Sequence, residues 1–279
     1  MNDQRRGRPG IDVPDARGRT GLDRVGRDLT RNPGVRVTDV ELVASGWHVL
    51  RATTFDYRRR DGQWTSERRE TYDRGNGACV LLYDAARRTV LLTRQFRYPA
   101  YVNGHEDGML VEVAAGLLDE DDAETAIRRE AEEETGVRIG ELQHVLDAYM
   151  SPGSVTERLH FYAAAYDGAD PHRADPDRIG GGIADEGEDI EVLELGFADA
   201  LAAIRSGEIA DAKTIMLLQW AALDGPFAAD AGRHTHGQAR GHEPRGGEYG
   251  HEDELEVQHE YESAVFTEAM GSTEPPETD

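Results

Sequence analysis

The segment from residue 115 to residue 137 constrains the fold more than any other part of this sequence. Gly116 opens an acidic loop, and the loop leads into a helix predicted over residues 121–135. Asp121 is the expected N-cap, and Glu124 follows at the spacing of a capping box. Gly136 is the expected residue just beyond the helix end. The pattern therefore predicts a short helix that is entered through a glycine loop and marked at both ends.

The glutamates of this helix indicate its chemistry. Glu130 and Glu134 are four residues apart and share one face, and Glu133 borders that face. Such like-charged pairs cost an isolated helix about 0.2–0.5 kcal/mol each, and a divalent cation reverses that cost. Hard oxygen ligands suit Mg²⁺ or Mn²⁺. The alternative is an acidic surface helix that Arg128 and Arg129 neutralise.

Hydrophobic patterning outside the helix predicts a mixed α/β sandwich. A hairpin is expected at 47–57 and 64–72 around Asp61-Gly62, and a second at 78–83 and 89–93. Further strands are expected at 142–149, 159–166 and 189–195, and helices at 197–206 and 211–223. The chain is divided into a disordered tail at 1–36, a small β element at 37–75, the main domain at 76–224 and a disordered acidic tail at 225–279.

Composition narrows the class of protein. The 279 residues carry a formal net charge of -24, which argues against nucleic acid as a partner. A single cysteine, Cys79, favours the reducing cytoplasm. No apolar run approaches the ~20 residues that span a bilayer, so no membrane association is expected. The histidines of the acidic tail are interpreted as a solvated low-complexity segment in preference to a metal site: His234, His236, His242, His251 and His259.

The R-E-x-x-E-E-x-G string at 129–136 resembles the Nudix box, with one residue fewer than usual between the first glycine and the Arg-Glu pair. Segments outside the box make the resemblance narrower. They are similar to the GDP-mannose pyrophosphatase branch of the ADP-ribose/NDP-sugar Nudix family, which shares the shortened loop. The resemblance runs from about residue 46 to residue 223 and includes Arg94-Gln95-Phe96-Arg97, Tyr149-Met150-Ser151-Pro152-Gly153 and Glu188-Asp189-Ile190-Glu191.

This resemblance implies a fold and an activity. The fold is a Nudix α/β/α sandwich with a mixed sheet, preceded by a small N-terminal β element that is swapped in a homodimer. The activity is Mg²⁺-dependent hydrolysis of GDP-mannose to GMP and mannose 1-phosphate, with Mn²⁺ able to substitute. Two alternatives stay open: a pyrophosphatase for ADP-ribose or another NDP-sugar, and a regulator that binds a nucleotide sugar without cleaving it.

The resemblance also implies roles for individual residues. The metal ligands are the Ala115 carbonyl and the carboxylates of Glu130, Glu134 and Glu188, with Glu133 in support. The general base is Glu157 or Glu186, with Glu157 preferred. Substrate contacts map to Trp47, Arg68, Arg69, Glu70, Arg97, Ala115, Gly116, Leu117, Glu134, Glu157, Gly187, Glu188 and Lys213.

Lys213 stands out because it is the one lysine in a chain whose other basic side chains are arginines. A position that keeps lysine under such a bias is interpreted as needing a compact ammonium group rather than a planar guanidinium. Chance survival at a helix start is the alternative. The sequence therefore places Lys213 among the candidate substrate contacts.

Overall fold

Two β-sheets organise residues 32–118, 121–166 and 189–228, which are the residues that the computed structural model describes. The smaller sheet is antiparallel and consists of β1 (Val35–Ser45), β2 (Val49–Arg58) and β3 (Trp64–Asp73) in that order. β2 and β3 form the predicted hairpin, and Gly62 takes a left-handed φ of 84° in its turn. This arrangement confirms the small N-terminal sheet.

The first strand extends the small sheet further toward the N-terminus than the composition predicts. β1 was not predicted as a strand, and it includes Val35 and Arg36, which had been assigned to the tail. Val35 pairs with Tyr57 and Val37 pairs with Phe55 across the sheet. β-branched and aromatic cross-strand pairs of this kind stabilise a sheet, which explains why the strand begins before residue 37.

The larger sheet is mixed and has seven strands. Its main path runs β10-β5-β4-β9-β8, with β6 beside β5 and β7 beside β4. β4 and β9 are parallel, and the other pairs are antiparallel. The strands are β4 (Gly77–Asp84), β5 (Thr89–Phe96), β6 (Met109–Glu112), β7 (Ala114–Leu117), β8 (Gln143–Tyr149), β9 (Arg158–Ala165) and β10 (Glu191–Gly196).

Helices cover both faces of the larger sheet. The described residues contain α1 (Tyr98–Val102), α2 (Ala123–Thr135), α3 (Phe197–Ser206) and α4 (Ala212–Leu223), of which α2, α3 and α4 pack on the sheet. Alternate residues of β4 point to opposite faces, as the pleat requires. Cys79 and Leu81 pack with α3 and α4, whereas Val80 and Leu82 pack with Ile127 of α2. The result is the predicted α/β/α sandwich.

Three short elements around the glycine loop were not predicted: α1, β6 and β7. β6 and β7 have four residues each and are separated by Val113, whose N–H donates to Thr214 Oγ1 at 2.8 Å. Segments this short give too few residues for a period-2 pattern to be recognised. They matter because β7 carries Ala115 and Gly116.

The folded part continues beyond residue 224. Phe227 is buried and stacks at a tilt on Phe197, with ring centroids 4.1 Å apart. It also meets Tyr83 edge-on. Phe227, which had been assigned to the C-terminal tail, is therefore a core residue.

No helix within 32–118, 121–166 and 189–228 has the length and apolar character that crossing a bilayer demands.

Candidate active site

Gly116 brings the backbone of β7 against the side chain of Glu130. β7 runs antiparallel to β4, with Ala115 opposite Cys79 and Gly116 opposite Ala78. A Cβ at position 116 would lie 2.5 Å from Glu130 Oε1, closer than side-chain atoms approach each other. Only glycine leaves the space that the Glu130 carboxylate occupies. The first half of the box therefore works as a cradle for a carboxylate of the second half.

The helix that carries the glutamates begins one residue later than expected. Asp122 is the N-cap, and its side chain accepts from the N–H of Thr125 at 3.0 Å. The expectation of an Asp121 cap with a Glu124 capping box was wrong, because Asp122 and Thr125 satisfy the helix start. Gly136 adopts a left-handed φ of 70° at the C-terminal end, as predicted.

The three candidate glutamates differ in exposure. Glu134 is buried, with 4% of its surface exposed, whereas the Glu130 and Glu133 side chains are 18% and 34% exposed. Arg129 pairs with Glu130 at 3.0 Å and with Glu133 at 3.1 Å. A single exposed guanidinium is thus shared by these two glutamates, and Asp121 lies 3.9 Å from its Nε.

Arg128 does not serve these glutamates. It donates to the backbone carbonyls of Ile139 and Gly140 at 2.9 and 2.7 Å and so ties the helix to the segment that follows it. The alternative in which Arg128 and Arg129 together neutralise an acidic surface therefore fails for Arg128. Of the two arginines expected to neutralise the glutamates, Arg128 binds backbone carbonyls instead.

This donor set fits a divalent cation. The cluster offers carboxylate oxygens from one helix face, and the cradle at Gly116 holds one of them against the β7 backbone beside the Ala115 carbonyl. All of these donors are hard oxygens, the ligand type that Mg²⁺ and Mn²⁺ take. Glu134 is placed in the protein interior, where a carboxylate is costly unless a cation or hydrogen bonds compensate it.

A second set of charges lies at the start of the same loop. Glu112 is the last residue of β6 and is buried. Arg97 donates to its two oxygens through Nε at 2.8 Å and Nη2 at 3.0 Å. Lys213 Nζ donates to Glu112 Oε2 at 2.6 Å and pairs with Asp211 Oδ1 at 3.0 Å. The structure thus brings two of the four predicted cationic substrate contacts, Arg97 and Lys213, together on one carboxylate.

The charges of this network stabilise one another. Burial raises the pKa of Glu112, but Lys213 and Arg97 outweigh burial and lower that pKa from 4.5 to about 2. Burial lowers the pKa of Lys213, but the carboxylates of Glu112 and Asp211 outweigh it and raise the pKa above its usual value. Glu112 and Lys213 therefore both stay ionised at neutral pH.

Sequence reasoning missed Glu112 and Asp211. A usable signal was present in Glu112, an acidic residue within the apolar run Met109-Leu110-Val111-Glu112-Val113. A charge in a buried strand must be paired, and that requirement points to a cation elsewhere in the chain. Asp211 carried no such signal because it is also the N-cap of α4, which accounts for it locally.

Glu157 is a buried carboxylate beside the Ser-Pro-Gly loop. Desolvation raises its pKa, with Arg74 and Lys213 acting in the opposite direction. Arg74 Nε lies 3.4 Å from Glu157 Oε1. A carboxyl group with a raised pKa accepts a proton more readily than an ordinary glutamate.

The loop before Glu157 is fastened to the small sheet. The Tyr72 N–H donates to the Ser154 carbonyl at 2.8 Å, and the Thr156 N–H donates to the Tyr72 carbonyl at 3.1 Å. Thr156 Oγ1 also donates to Asp73, which forms a buried ion pair with Arg51 at 3.1 Å. The end of β3 therefore fixes the segment that leads to Glu157.

The predicted nucleotide contacts lie on the small sheet. Arg68, Arg69 and Glu70 belong to β3, and the ion pairs of Arg68 are with Glu41 and Glu70 of the same sheet. Trp47 lies in the β1–β2 turn and is 60% exposed. Arg97, Ala115, Gly116 and Leu117 belong instead to the loop side of the larger sheet. The predicted nucleotide contacts therefore lie on the small sheet, and the predicted phosphate and sugar contacts lie on or next to strands of the larger sheet.

Three predicted site residues lie outside the described residues: Glu186, Gly187 and Glu188. The tail histidines named above lie outside them as well.

Comparison with known proteins identifies the family. A profile described as the GDP-mannose pyrophosphatase NudK N-terminal domain matches residues 34–72, and the NUDIX domain profile matches residues 73–195. A protein named GDP-mannose pyrophosphatase from Pectobacterium atrosepticum is 52% identical over 194 residues, which cover 70% of this chain and 97% of that protein. The chain belongs to the Nudix family. Within it, the chain is similar to proteins named GDP-mannose pyrophosphatase, and it is a Nudix pyrophosphatase by class.

Other relatives agree. Proteins of the same name from Salmonella paratyphi B and Escherichia coli are 50% and 49% identical, each over 64% of this chain and 91% of its own length. A solved structure titled as an ADP compounds hydrolase superposes with a TM-score of 0.52 at 15% identity, covering 69% of this chain and 96% of that one. That likeness confirms the fold. Nudix enzymes generally use a divalent metal ion, in keeping with the carboxylate cluster.

Proposed function

We propose that this protein hydrolyses GDP-mannose to GMP and mannose 1-phosphate. The observation that carries the proposal is that a cluster of carboxylates follows one glycine loop in the chain, while two cations are held at the residue just before it. Glu130 and Glu134 follow the loop in the chain. Glu112 precedes it and binds Arg97 and Lys213. A diphosphate needs a metal ion and positive side chains together, and Glu112, which holds the two cations, is separated only by Val113 from β7, which meets Glu130. Relatives about half identical to this chain carry the name of that activity.

Mg²⁺ is the proposed metal, with Mn²⁺ as a substitute. Its ligands would be the Ala115 carbonyl, Glu130, Glu134 and Glu188, with Glu133 as a supporting carboxylate. Bound there, the ion would neutralise the diphosphate and make phosphorus easier for water to attack. The chain's own part is to hold the carboxylates in position: Gly116 provides the space, Arg129 restrains Glu130 and Glu133, and the α2 cap fixes the start of the helix.

The diphosphate and the sugar side are assigned to the residues of the loop and its cations. Arg97 has a rigid fork that two hydrogen bonds to Glu112 orient, and 41% of its side chain stays exposed for a ligand. Lys213 offers a compact ammonium group that Glu112 and Asp211 hold charged. Ala115, Gly116 and Leu117 would line the phosphate and sugar side, where a backbone without a Cβ permits close approach.

The general base is proposed to be Glu157, with Glu186 as the alternative. The burial of Glu157 and its raised pKa support the choice, because a base of higher pKa takes a proton from water more effectively. Glu157→Gln should lower kcat by about 10²–10⁴-fold and remove the acid limb of the pH–rate profile. Glu186→Gln is the matched comparison. A larger kcat loss in that variant would reassign the base.

The guanine nucleotide is assigned to the small sheet. Trp47 supplies an exposed ring for stacking, and Arg68, Arg69 and Glu70 supply polar contacts from β3, with Gly187 near the substrate. We place these groups in the site of a second protomer, in a homodimer whose N-terminal elements are exchanged. Mixing two inactive variants tests this: Glu134→Gln with Arg68→Ala/Arg69→Ala should regain partial activity if the site is shared. Mixtures that stay inactive, while both proteins are dimeric by light scattering, would exclude the exchange.

The substrate itself is tested by a panel. With Mg²⁺ present, kcat/KM is measured for GDP-mannose, GDP-glucose and ADP-ribose, and the products are identified. Preference for GDP-mannose with release of GMP and mannose 1-phosphate is expected. A wide preference for ADP-ribose would make the protein an ADP-ribose pyrophosphatase instead. Tight binding without turnover would favour a regulator that binds a nucleotide sugar without cleaving it. The proposed location is the cytoplasm, supported by the single, buried Cys79.

A further inference from the structure

A histidine–aspartate cluster lies on the other arm of the larger sheet, on β8 and β9. It consists of His144, Asp147 and His160, and one ligand atom of each lies within 4.8 Å of those of the others. His144 Nε2 and His160 Nδ1 both lie 2.8 Å from the same oxygen, Asp147 Oδ1. None of the three is on β7 or α2, and the Nudix chemistry does not use them.

A β-bulge creates this cluster. His144 and Asp147 are three residues apart, and in a regular strand they would point to opposite faces of the sheet. The β8–β9 register shifts between His144 and Leu146, so that Val145 is an extra residue. His144 then lies opposite Tyr162, and Asp147 lies opposite His160. Bulges of this kind re-aim side chains, and this one collects all three on the face that α2 covers.

The side chains of the cluster are held by their neighbours but remain accessible to solvent. The His144 ring meets the Tyr162 ring edge-on, with centroids 5.4 Å apart. The contacts of both rings with Asp147 Oδ1 tie the three side chains to one another across β8 and β9. The side chains of His144 and Asp147 are 52% and 36% exposed. Three converging ligands beside solvent leave room for water as a further ligand.

We propose that His144, Asp147 and His160 form a second metal site, which takes a late first-row divalent ion such as Zn²⁺ or Co²⁺. Two imidazole nitrogens and one carboxylate form a donor set that these ions prefer and that Mg²⁺ does not. Each ring would bind through the nitrogen that now faces Asp147 and keep its proton on the other nitrogen. The two sites of this chain are therefore selective for different ions by ligand type.

The test counts bound ions on the full-length protein. Co²⁺ is titrated by visible absorption and calorimetry in excess Mg²⁺, which occupies the oxygen sites. The wild type should bind one equivalent with the absorption of a nitrogen-ligated ion. His144→Ala and His160→Ala should each weaken that equivalent by at least about 100-fold, since even groups that only support metal ligands are worth 10–100-fold. Asp147→Asn, which keeps the shape, should weaken it less.

Two controls make the result decisive. The five tail histidines are replaced together by alanine in a separate variant, and that protein should keep the equivalent. Hydrolysis in Mg²⁺ and melting without Co²⁺ should match the wild type in His144→Ala, because its ring is exposed. Retention of the equivalent in His144→Ala and His160→Ala, or its loss in the tail variant, would overturn the proposal.

Discussion

A single carboxylate precedes the glycine loop and a group of carboxylates follows it, and the two differ in the cations that pair with them. Glu112, before the loop, is bound by Arg97 and Lys213 within the protein. Glu130 and Glu133, after the loop, share Arg129, which is 41% exposed. A carboxylate with two permanent cations fixes the positions of those cations. Carboxylates gathered around one exposed guanidinium can exchange that partner for an ion from solution.

The strongest test of this contrast is Glu134→Gln. We expect hydrolysis to fall by at least about 10²-fold, because residues that merely support metal ligands are already worth 10–100-fold. Stability should change little, since the shape is kept and a buried charge is removed. The measurements are kcat in Mg²⁺ and the melting temperature. Glu132→Gln is the matched control on the same helix, because Glu132 is exposed and pairs with Arg138. Full activity in Glu134→Gln would remove it from the metal site.

Gly116→Ala should move the Glu130 carboxylate without changing any charge. The new Cβ would displace the Glu130 side chain, which is flexible enough to move without unfolding the protein. We expect activity to fall by about 100-fold, since a displacement of about 1 Å at a catalytic group costs that much. The unfolding free energy should change by under about 1 kcal/mol. Gly140→Ala is the control, because a Cβ there meets nothing within 4 Å. Equal activity in the two variants would show that the cradle is dispensable.

Glu112→Gln should behave in the opposite way. Removing this charge leaves Lys213 and Arg97 without their shared carboxylate in a buried site. We expect a loss of roughly 3 kcal/mol in the free energy of unfolding at pH 7, measured by urea denaturation. KM should rise as the two cations lose their anchor. A stability equal to that of Glu132→Gln would mean that the network is not structural.

The pH dependence of that loss has a defined sign. The folded pKa of Glu112 is about 2, below its ordinary 4.5. A depressed carboxyl pKa contributes stability that is complete above the unfolded pKa and is lost as pH falls toward the folded one. The stability difference between wild type and Glu112→Gln should therefore be constant from pH 7 to about 5 and shrink as pH falls toward 2. A difference that grows below pH 4 would contradict the assignment.

The smallest effect is expected from removing the C-terminal tail. Because Phe227 is a core residue, the deletion should begin at residue 229. We expect kcat/KM to change by less than about twofold, because every site residue named above precedes residue 229. Steady-state kinetics with the preferred substrate measure it. A large loss would give the tail a part in the activity, whereas deletion from 225 should also destabilise the core.

The sequence predicted the elements whose signals are local. The α2 glutamates, the Gly136 end and the hairpin around Gly62 follow from spacing and turn residues that a short window contains. β6 and β7 were missed because four residues carry no clear period. The cap was placed one residue early, because Asp121 and Asp122 are equivalent by type and only the bond to Thr125 separates them.

The site was predicted less completely, because its partners are far apart in the chain. Lys213 and Arg97 were identified as cations, but their common carboxylate, Glu112, was not. Lys213 lies 101 residues from Glu112, and no local pattern connects them. The His144–Asp147 pairing was hidden for another reason, since a period-2 strand places the two on opposite faces until a bulge is known.

The pairing of Tyr72 with the Ser154–Thr156 segment gives the two sheets a shared exchange behaviour. The amides of Tyr72 and Thr156 are protected by the same short ladder, so one opening event should expose both to deuterium. A ligand that rests only on the small sheet would then slow exchange at Thr156 without touching it. Deuterium exchange would then report nucleotide binding and the ordering of the segment before Glu157 as a single free energy of opening.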